Sequence, residues 1–146
     1  MRYGETWKLT RKRVRLVPQF PVLPNSLTLA EYIRAWRLNA DGCDSMNDTA
    51  TLTAESSTLL GQPARMLLGN LSHGQKRLLE ILLACAARTA AIFADEPLAG
   101  LAQDRVAWCV EKLNKFRADG GALLVVAHRP EQQHWKADWQ CEVFPA

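Results

Sequence analysis

Hydrophobic and polar positions along the 146-residue chain change period several times, and each change predicts an element. Val14–Val17 is a short, β-branched run closed by Pro18, which predicts a strand ending at Gln19. Pro21, Pro24 and Asn25 break the chain over residues 20–26, predicting a loop. Ser26 or Thr28 then stands where a helix cap belongs, ahead of Leu29, Ile33, Trp36 and Arg37 at helical spacing. From Asn39 to Ser57 the residues are small and polar, which predicts a surface connection or a loosely held helical segment.

Gly69 to Gln75 is a second polar interruption, and after it Lys76 to Arg88 is apolar on nearly every side, the mark of a buried helix. Ala90 to Ala94 is a short apolar run closed by Asp95-Glu96-Pro97, as in a strand of a covered parallel sheet. Val106, Val110, Leu113 and Phe116 mark one face of a helix that Gly120-Gly121 ends, and Ala122 to Ala127 is the next apolar strand, leading to His128. Strand, helix and strand in that rhythm predict a right-handed βαβ unit and an α/β fold with a parallel sheet. Ligand chemistry in such sheets gathers beyond the strand C-termini, where Asp95, Glu96 and His128 fall.

Composition narrows the class. With 48% apolar and 23% charged residues the chain is an ordinary globular one, which excludes a disordered tail, a collagen-like fibre and a disulfide-rich miniprotein. Its apolar runs fall short of the ~20 residues that cross a bilayer, and its N-terminus lacks the pattern of a secretory signal, so a cytoplasmic location is expected. Cys43, Cys85, Cys109 and Cys141 are too widely spaced for a metal-binding or redox pair, and free, mostly buried thiols are expected. The net charge of +3 hides an uneven distribution: Arg2, Lys8, Arg11, Lys12, Arg13 and Arg15 face only Glu5 in the first 15 residues. Such an arm could meet phosphates or acidic lipids, but a solvated strand edge guarded by charge is the favoured reading.

Two constellations carry chemistry. An acidic pair after a hydrophobic strand is how nucleotide hydrolases hold magnesium: Asp95 would bind the ion through its water shell, and Glu96 would orient or deprotonate the attacking water. The same Asp-Glu-Pro also makes a good helix entry. Leu71-Ser72-His73-Gly74-Gln75, opening a long helix, offers a hydroxyl, glycine amides and a helix N-terminus to an anion. Read alone, it is an N-cap with a glycine turn.

In sequence order the two constellations join a wider set, and the whole resembles the nucleotide-binding domain of ATP-binding cassette (ABC) proteins over roughly residues 14 to 135. Val17-Pro18-Gln19 looks like the Q-loop and Leu71-Ser72-His73-Gly74-Gln75 like the signature. Ile92-Phe93-Ala94-Asp95-Glu96-Pro97 looks like Walker B with its catalytic glutamate, and His128 like the switch histidine. The resemblance implies a partial P-loop NTPase (RecA-like) core with an inserted helical subdomain, and ATP with Mg2+ as the ligands. It implies that Glu96, His128 and Gln19 are catalytic, that Asp95 and Gln19 serve the metal, and that Leu71, Ser72, His73, Gly74 and Gln75 bind nucleotide held mainly by an opposing subunit. Three segments are implied: residues 1–19, a basic arm and strand ending at the Q-loop; 20–75, the helical subdomain ending in the signature; and 76–146, the C-terminal part of the ATPase core.

Two features depart from the family. Gly100-Leu101 is followed by Ala102 where an aspartate is usual, leaving Gln103 or Asp104 to cap the next helix. The phosphate loop, G-x-x-x-x-G-K-[ST], is absent. Its nearest imitation, Gly69 to Lys76, has Gln75 in place of the lysine and no strand leading into it, and reads as signature. Tyr3 and Trp7 are the only early aromatics, and neither is supported as an adenine-stacking residue.

The expectation is therefore an ABC ATPase subunit or fragment that energises a membrane permease through its helical subdomain, peripheral on the inner face of the membrane. It would be inactive alone and completed by a separate N-terminal half. Rival readings are a non-catalytic partner lending Ser72 and Gly74 to another ATPase, and the C-terminal half of a DNA-repair or chromosome-maintenance ATPase. The latter lacks support from sustained heptads. A plain α/β domain with no nucleotide role is the remaining rival.

Overall fold

The structure, a computed structural model, describes residues 14–39, 46–87, 89–128 and 134–135. The basic residues Arg2 to Arg13, together with Cys43 and Cys141, lie outside the described residues. Among the described residues the order is β1 (Val14–Val17), α1 (Leu29–Asn39), α2 (Met46–Leu60), a 3-10 turn (Leu68–Asn70), α3 (His73–Ala86), β2 (Ala91–Asp95), α4 (Gln103–Ala118) and β3 (Ala122–Val126). The three strands form one parallel sheet in the order β1-β2-β3, with Leu16 opposite Phe93 and Phe93 opposite Leu124. The α/β class with a parallel sheet is thus as expected.

Local chemistry sets the helix ends. Of the two predicted caps, Thr28 is the one in use: its hydroxyl accepts from the Glu31 amide (3.3 Å), and the Glu31 carboxylate accepts from the Thr28 amide (2.8 Å). This reciprocal pair satisfies amides that the first turn leaves open. Of the two alternatives for the polar stretch before residue 60, the helical one holds: it forms the 15-residue α2, whose apolar face is reduced to Leu52, Leu59 and Leu60 around a buried Ser56. Ser56 hides its hydroxyl by donating to the Leu52 carbonyl (2.7 Å), so a polar residue occupies a core position without an unmet bond. Neither Gln103 nor Asp104 caps α4; the cap is Ala102, which offers no side-chain bond.

The core lies on one face of the sheet. Val17, Ile92 and Ala94 point into it and meet Leu78, Leu79, Ile81, Leu82 and Leu83 of α3 and Val106, Cys109 and Leu113 of α4. Each fully buried leucine or isoleucine contributes about 1.5–3 kcal/mol, so α3 anchors the fold. The opposite face corrects the expectation of a covered sheet: Leu16, Phe93, Leu124 and Val126 all stand exposed there. Among the described residues no helix is long and apolar enough to cross a membrane.

Candidate functional site

The parallel strands deliver their C-terminal ends to one edge. Gln19 follows β1, Asp95 ends β2, Glu96 succeeds it and His128 lies two residues beyond β3. Glu96 is the hub. Its amide donates to the Val126 carbonyl (2.8 Å), fastening the end of β2 to β3. Its backbone has φ +46°, the only positive φ of a non-glycine residue among those described. A left-handed conformation costs an L-residue about 1–2 kcal/mol, and here it turns the side chain back over the sheet edge.

There the Glu96 carboxylate accepts from Gln19 Nε2 at 2.5 Å on one oxygen and pairs with His128 Nε2 on the other. A carboxylate only accepts, so the NH2 of the Gln19 amide and an N–H at His128 Nε2 must face it. The Glu96 side chain is 13% exposed, whereas that of His128 is 76% exposed, so a shielded carboxylate is addressed by a histidine open to solvent.

Gln19 is itself held in place. Arg77, 2% exposed within α3, donates from Nη2 to the Gln19 carbonyl. The same nitrogen lies 3.4 Å from His73 Nε2, which can only be an acceptor there because a guanidinium has no lone pair to offer. The His73 ring also faces Phe20, with centroids 5.5 Å apart. Arg77 and Phe20 escaped the sequence reading. A lone arginine at the start of the apolar run that begins at Leu78 was the available signal for Arg77; nothing in the sequence marks Phe20.

The Leu71–Gln75 segment starts α3 as predicted. Ser72 caps the helix, accepting from the Gln75 amide at 3.2 Å, while Gln75 Oε1 accepts from the Ser72 amide at 2.9 Å. Gln75 Nε2 reaches the Leu60 carbonyl at the end of α2 (2.9 Å), and Leu71 is buried. These bonds hold the segment to α2 and not to Glu96. Gly74 packs against the loop after Glu96: a Cβ there would stand 3.3 Å from Leu101 Cδ2. Gly69 precedes the segment in the 3-10 turn beside Asn25, so no strand of the sheet leads into it.

Asp95 ends β2 immediately before Glu96, and Glu96 is bonded to Gln19, so this edge offers hard oxygen groups of the type that magnesium takes when phosphates and water complete its shell. Among the described residues no group of three or more His, Cys, Asp or Glu side chains could hold a metal alone. The donor set therefore fits an ion shared with a phosphate better than a resident protein metal site.

The fold and site define an α/β protein with its polar cluster at the C-terminal edge of a parallel sheet. Residues 1–99 match the family described as ABC transporter, and the chain belongs to that family, as a match to its nucleotide-binding domain. His128 and β3 lie beyond the matched range. Among curated proteins it is 29% identical over 116 residues to the ribose import ATP-binding protein RbsA of Bacillus cereus, covering 76% of this chain and 23% of that one. It is 27% identical over 124 residues to the RbsA of Chromobacterium violaceum, covering 85% and 24%. The chain thus spans about a quarter of the length of these relatives. A solved ATP-binding subunit of an ABC transporter superposes with TM-score 0.73 at 21% identity, over 88% of this chain and 54% of its own. The ATP-binding cassette MJ0796, solved as a dimer bound to ADP and Pi, superposes with TM-score 0.68 at 24% identity, over 89% and 58%. These structures share the fold.

Proposed function

We infer that this chain is the signature-bearing and hydrolytic part of an ABC ATPase that energises transport through a membrane permease. The observation that carries this reading is the meeting of Gln19, Glu96 and His128 at one sheet edge, from three separate strand ends. Glu96 is placed to orient a water or take its proton, with Gln19 positioning the carboxylate and His128 holding its other oxygen. Such positioning is most of what phosphoryl transfer asks of a protein. Magnesium, when bound, supplies charge neutralisation at the phosphates, and Asp95 and Gln19 are the residues to hold it. Ser72 and Gly74, at an exposed helix start, suit a phosphate presented by an opposing subunit. Residues 20–75 form the helical part that would face the permease, on the inner side of the membrane. The names of the curated relatives favour import.

The 146 residues contain no G-x-x-x-x-G-K-[ST], so the reading assigns the phosphate-gripping part to another polypeptide segment and expects no activity from this chain alone. Calorimetric titration of MgATP into the isolated chain should give no binding isotherm, and micromolar affinity would overturn the incomplete-site reading. With a phosphate-loop half supplied, ATPase activity should appear, and Glu96→Gln should abolish turnover while leaving nucleotide binding. Turnover that survives Glu96→Gln would remove Glu96 from its role.

A further inference from the structure

A helix leaves its last four carbonyls without partners in its own ladder, and in α2 those belong to Ser57, Thr58, Leu59 and Leu60. The first two are met locally. Gly61, at φ +62°, turns the chain so that the Gln62 amide donates to the Ser57 carbonyl (3.1 Å) and the Gly61 amide to that of Thr58 (3.3 Å). The other two are met by side chains from distant segments. Arg105 Nη1, in the first turn of α4, donates to the Leu59 carbonyl at 2.6 Å, and Gln75 Nε2 donates to that of Leu60 at 2.9 Å. α2 has no basic residue in its own last turn, so Arg105 brings the positive charge that the negative end of a helix favours. Asp104 holds the same guanidinium from another side, 3.3 Å from Nε. Gln75 uses both ends of its amide inside the protein, since its Oε1 accepts from the Ser72 amide.

These bonds form a continuous path from Glu96 to the start of α3. The Ala99 amide donates to the Glu96 carbonyl (3.2 Å), the Leu101 amide to that of Leu98 (3.2 Å), and the Arg105 and Val106 amides to that of Ala102 (2.9 and 3.0 Å). The loop after Glu96 is thus a run of tight turns ending at Arg105, whose side chain reaches α2 46 positions back. From α2 the path continues through Gln75 to Ser72, and Gly74 lies against Leu101 of the same loop. Ala102, the cap of α4, makes no side-chain bond, so Arg105 supplies the polar tie from this turn to α2. We propose that Arg105 is a positioning residue: by holding the C-terminal end of α2 beside Gln75, it sets where Ser72 and Gly74 stand relative to Glu96. The ligand role of Ser72 and Gly74 comes from the proposed function, and to that extent the inference rests on that reading.

Amide hydrogen exchange on the full chain, without nucleotide, tests the geometry. In Arg105→Met, which keeps the length of the side chain and removes its donors, the Gln75 and Lys76 amides at the start of α3 should exchange about threefold faster or more, while the Glu96 amide bonded to Val126 should not change. Arg105→Lys, which still donates to a carbonyl, should restore most of the protection. Lys112→Met cuts another contact between α4 and α2, the ion pair with Glu55 (2.7 Å), and should leave these amides as in the wild type. Unchanged exchange in Arg105→Met overturns the proposal. So does equal acceleration in Lys112→Met, because any tie between the two helices would then serve. With a phosphate-loop half supplied, Arg105→Met should raise KM for MgATP about threefold or more and change kcat by less than about twofold, since Gln19, Glu96 and His128 keep their bonds. A fall in kcat at unchanged KM overturns the positioning role. Absence of ATPase activity in the wild-type mixture instead sinks the ATPase reading, and the exchange result still decides whether Arg105 positions the start of α3.

Discussion

Gln19 and Glu96, 77 positions apart in the chain, are joined at 2.5 Å, and this bond ties the end of β1 to the end of β2 where both strands leave the sheet. It exists because an amide can donate where a carboxylate cannot. Gln19→Glu would set two carboxylates against each other at that distance. It should destabilise the protein more than Gln19→Ala at pH 7, since Ala removes a hydrogen bond whereas Glu adds repulsion in a shielded place. Urea denaturation of both variants at pH 7 checks this, and a Gln19→Glu midpoint at or above that of Gln19→Ala would refute it.

The backbone of Glu96 makes a second expectation. Glu96→Gly and Glu96→Ala both lose the bonds to Gln19 and His128, but only glycine relaxes at φ +46°. The glycine variant should therefore be the more stable of the two by about 1 kcal/mol. Equal midpoints in chemical denaturation would show that the left-handed turn carries no strain.

The legibility of the chain follows from where its apolar periodicity is strong. α3 and β2 were readable because Leu78 to Ala86, apart from Glu80, and Ala91 to Ala94 are apolar and the breaks around them are sharp. α2 was readable only as one of two alternatives, because its buried face includes Ser56, whose bond to the Leu52 carbonyl one turn back is invisible to a hydrophobic pattern. The strand-end residues Gln19, Asp95, Glu96 and His128 could be picked from motif order, since a parallel sheet sends every such end to one edge. Arg77 could not, because its partner is a backbone carbonyl 58 positions away. The open sheet face was missed for a different reason. β3 has the composition of a covered strand, and composition does not say whether the cover is part of the same 146 residues.

Ser72 has a structural task apart from any ligand. Its cap on α3 is reciprocal with Gln75, and Gln75 also holds the end of α2, so the loss should propagate to the α2–α3 junction. Ser72→Ala should cost about 1 kcal/mol, whereas Ser72→Gly should cost only a few tenths. Thermal unfolding of both variants distinguishes this cap from a serine kept solely for phosphate, for which Ala and Gly would be alike.

Gly121 lies under the ring of Phe116, and a Cβ there would overlap that ring. Gly121→Ala should destabilise by about 1–3 kcal/mol, because the ring must leave its place at the end of α4. In the Phe116→Ala background the same change should be close to neutral. A double-mutant cycle with no coupling would refute the contact.

Cys85 and Cys109 sit on α3 and α4, where burial pushes their thiols up to about 11 and about 12. Desolvation penalises the thiolate, so at neutral pH both should resist alkylation in the folded protein and react on unfolding. The sign of the pH dependence follows. Unfolded thiols ionise near 9, whereas the folded ones hold their protons until about 11–12, so above pH 9 the native state binds more protons than the unfolded one. Stability from these two groups is complete below pH 9 and is lost as the pH climbs toward 11–12. Urea midpoints from pH 8 to 11 should fall with pH in the wild type, and fall less in Cys85→Ala/Cys109→Ala, measured against that variant's own pH 8 value because the double change also opens a cavity. Parallel slopes in the two proteins would show that the buried thiols do not govern the alkaline limit.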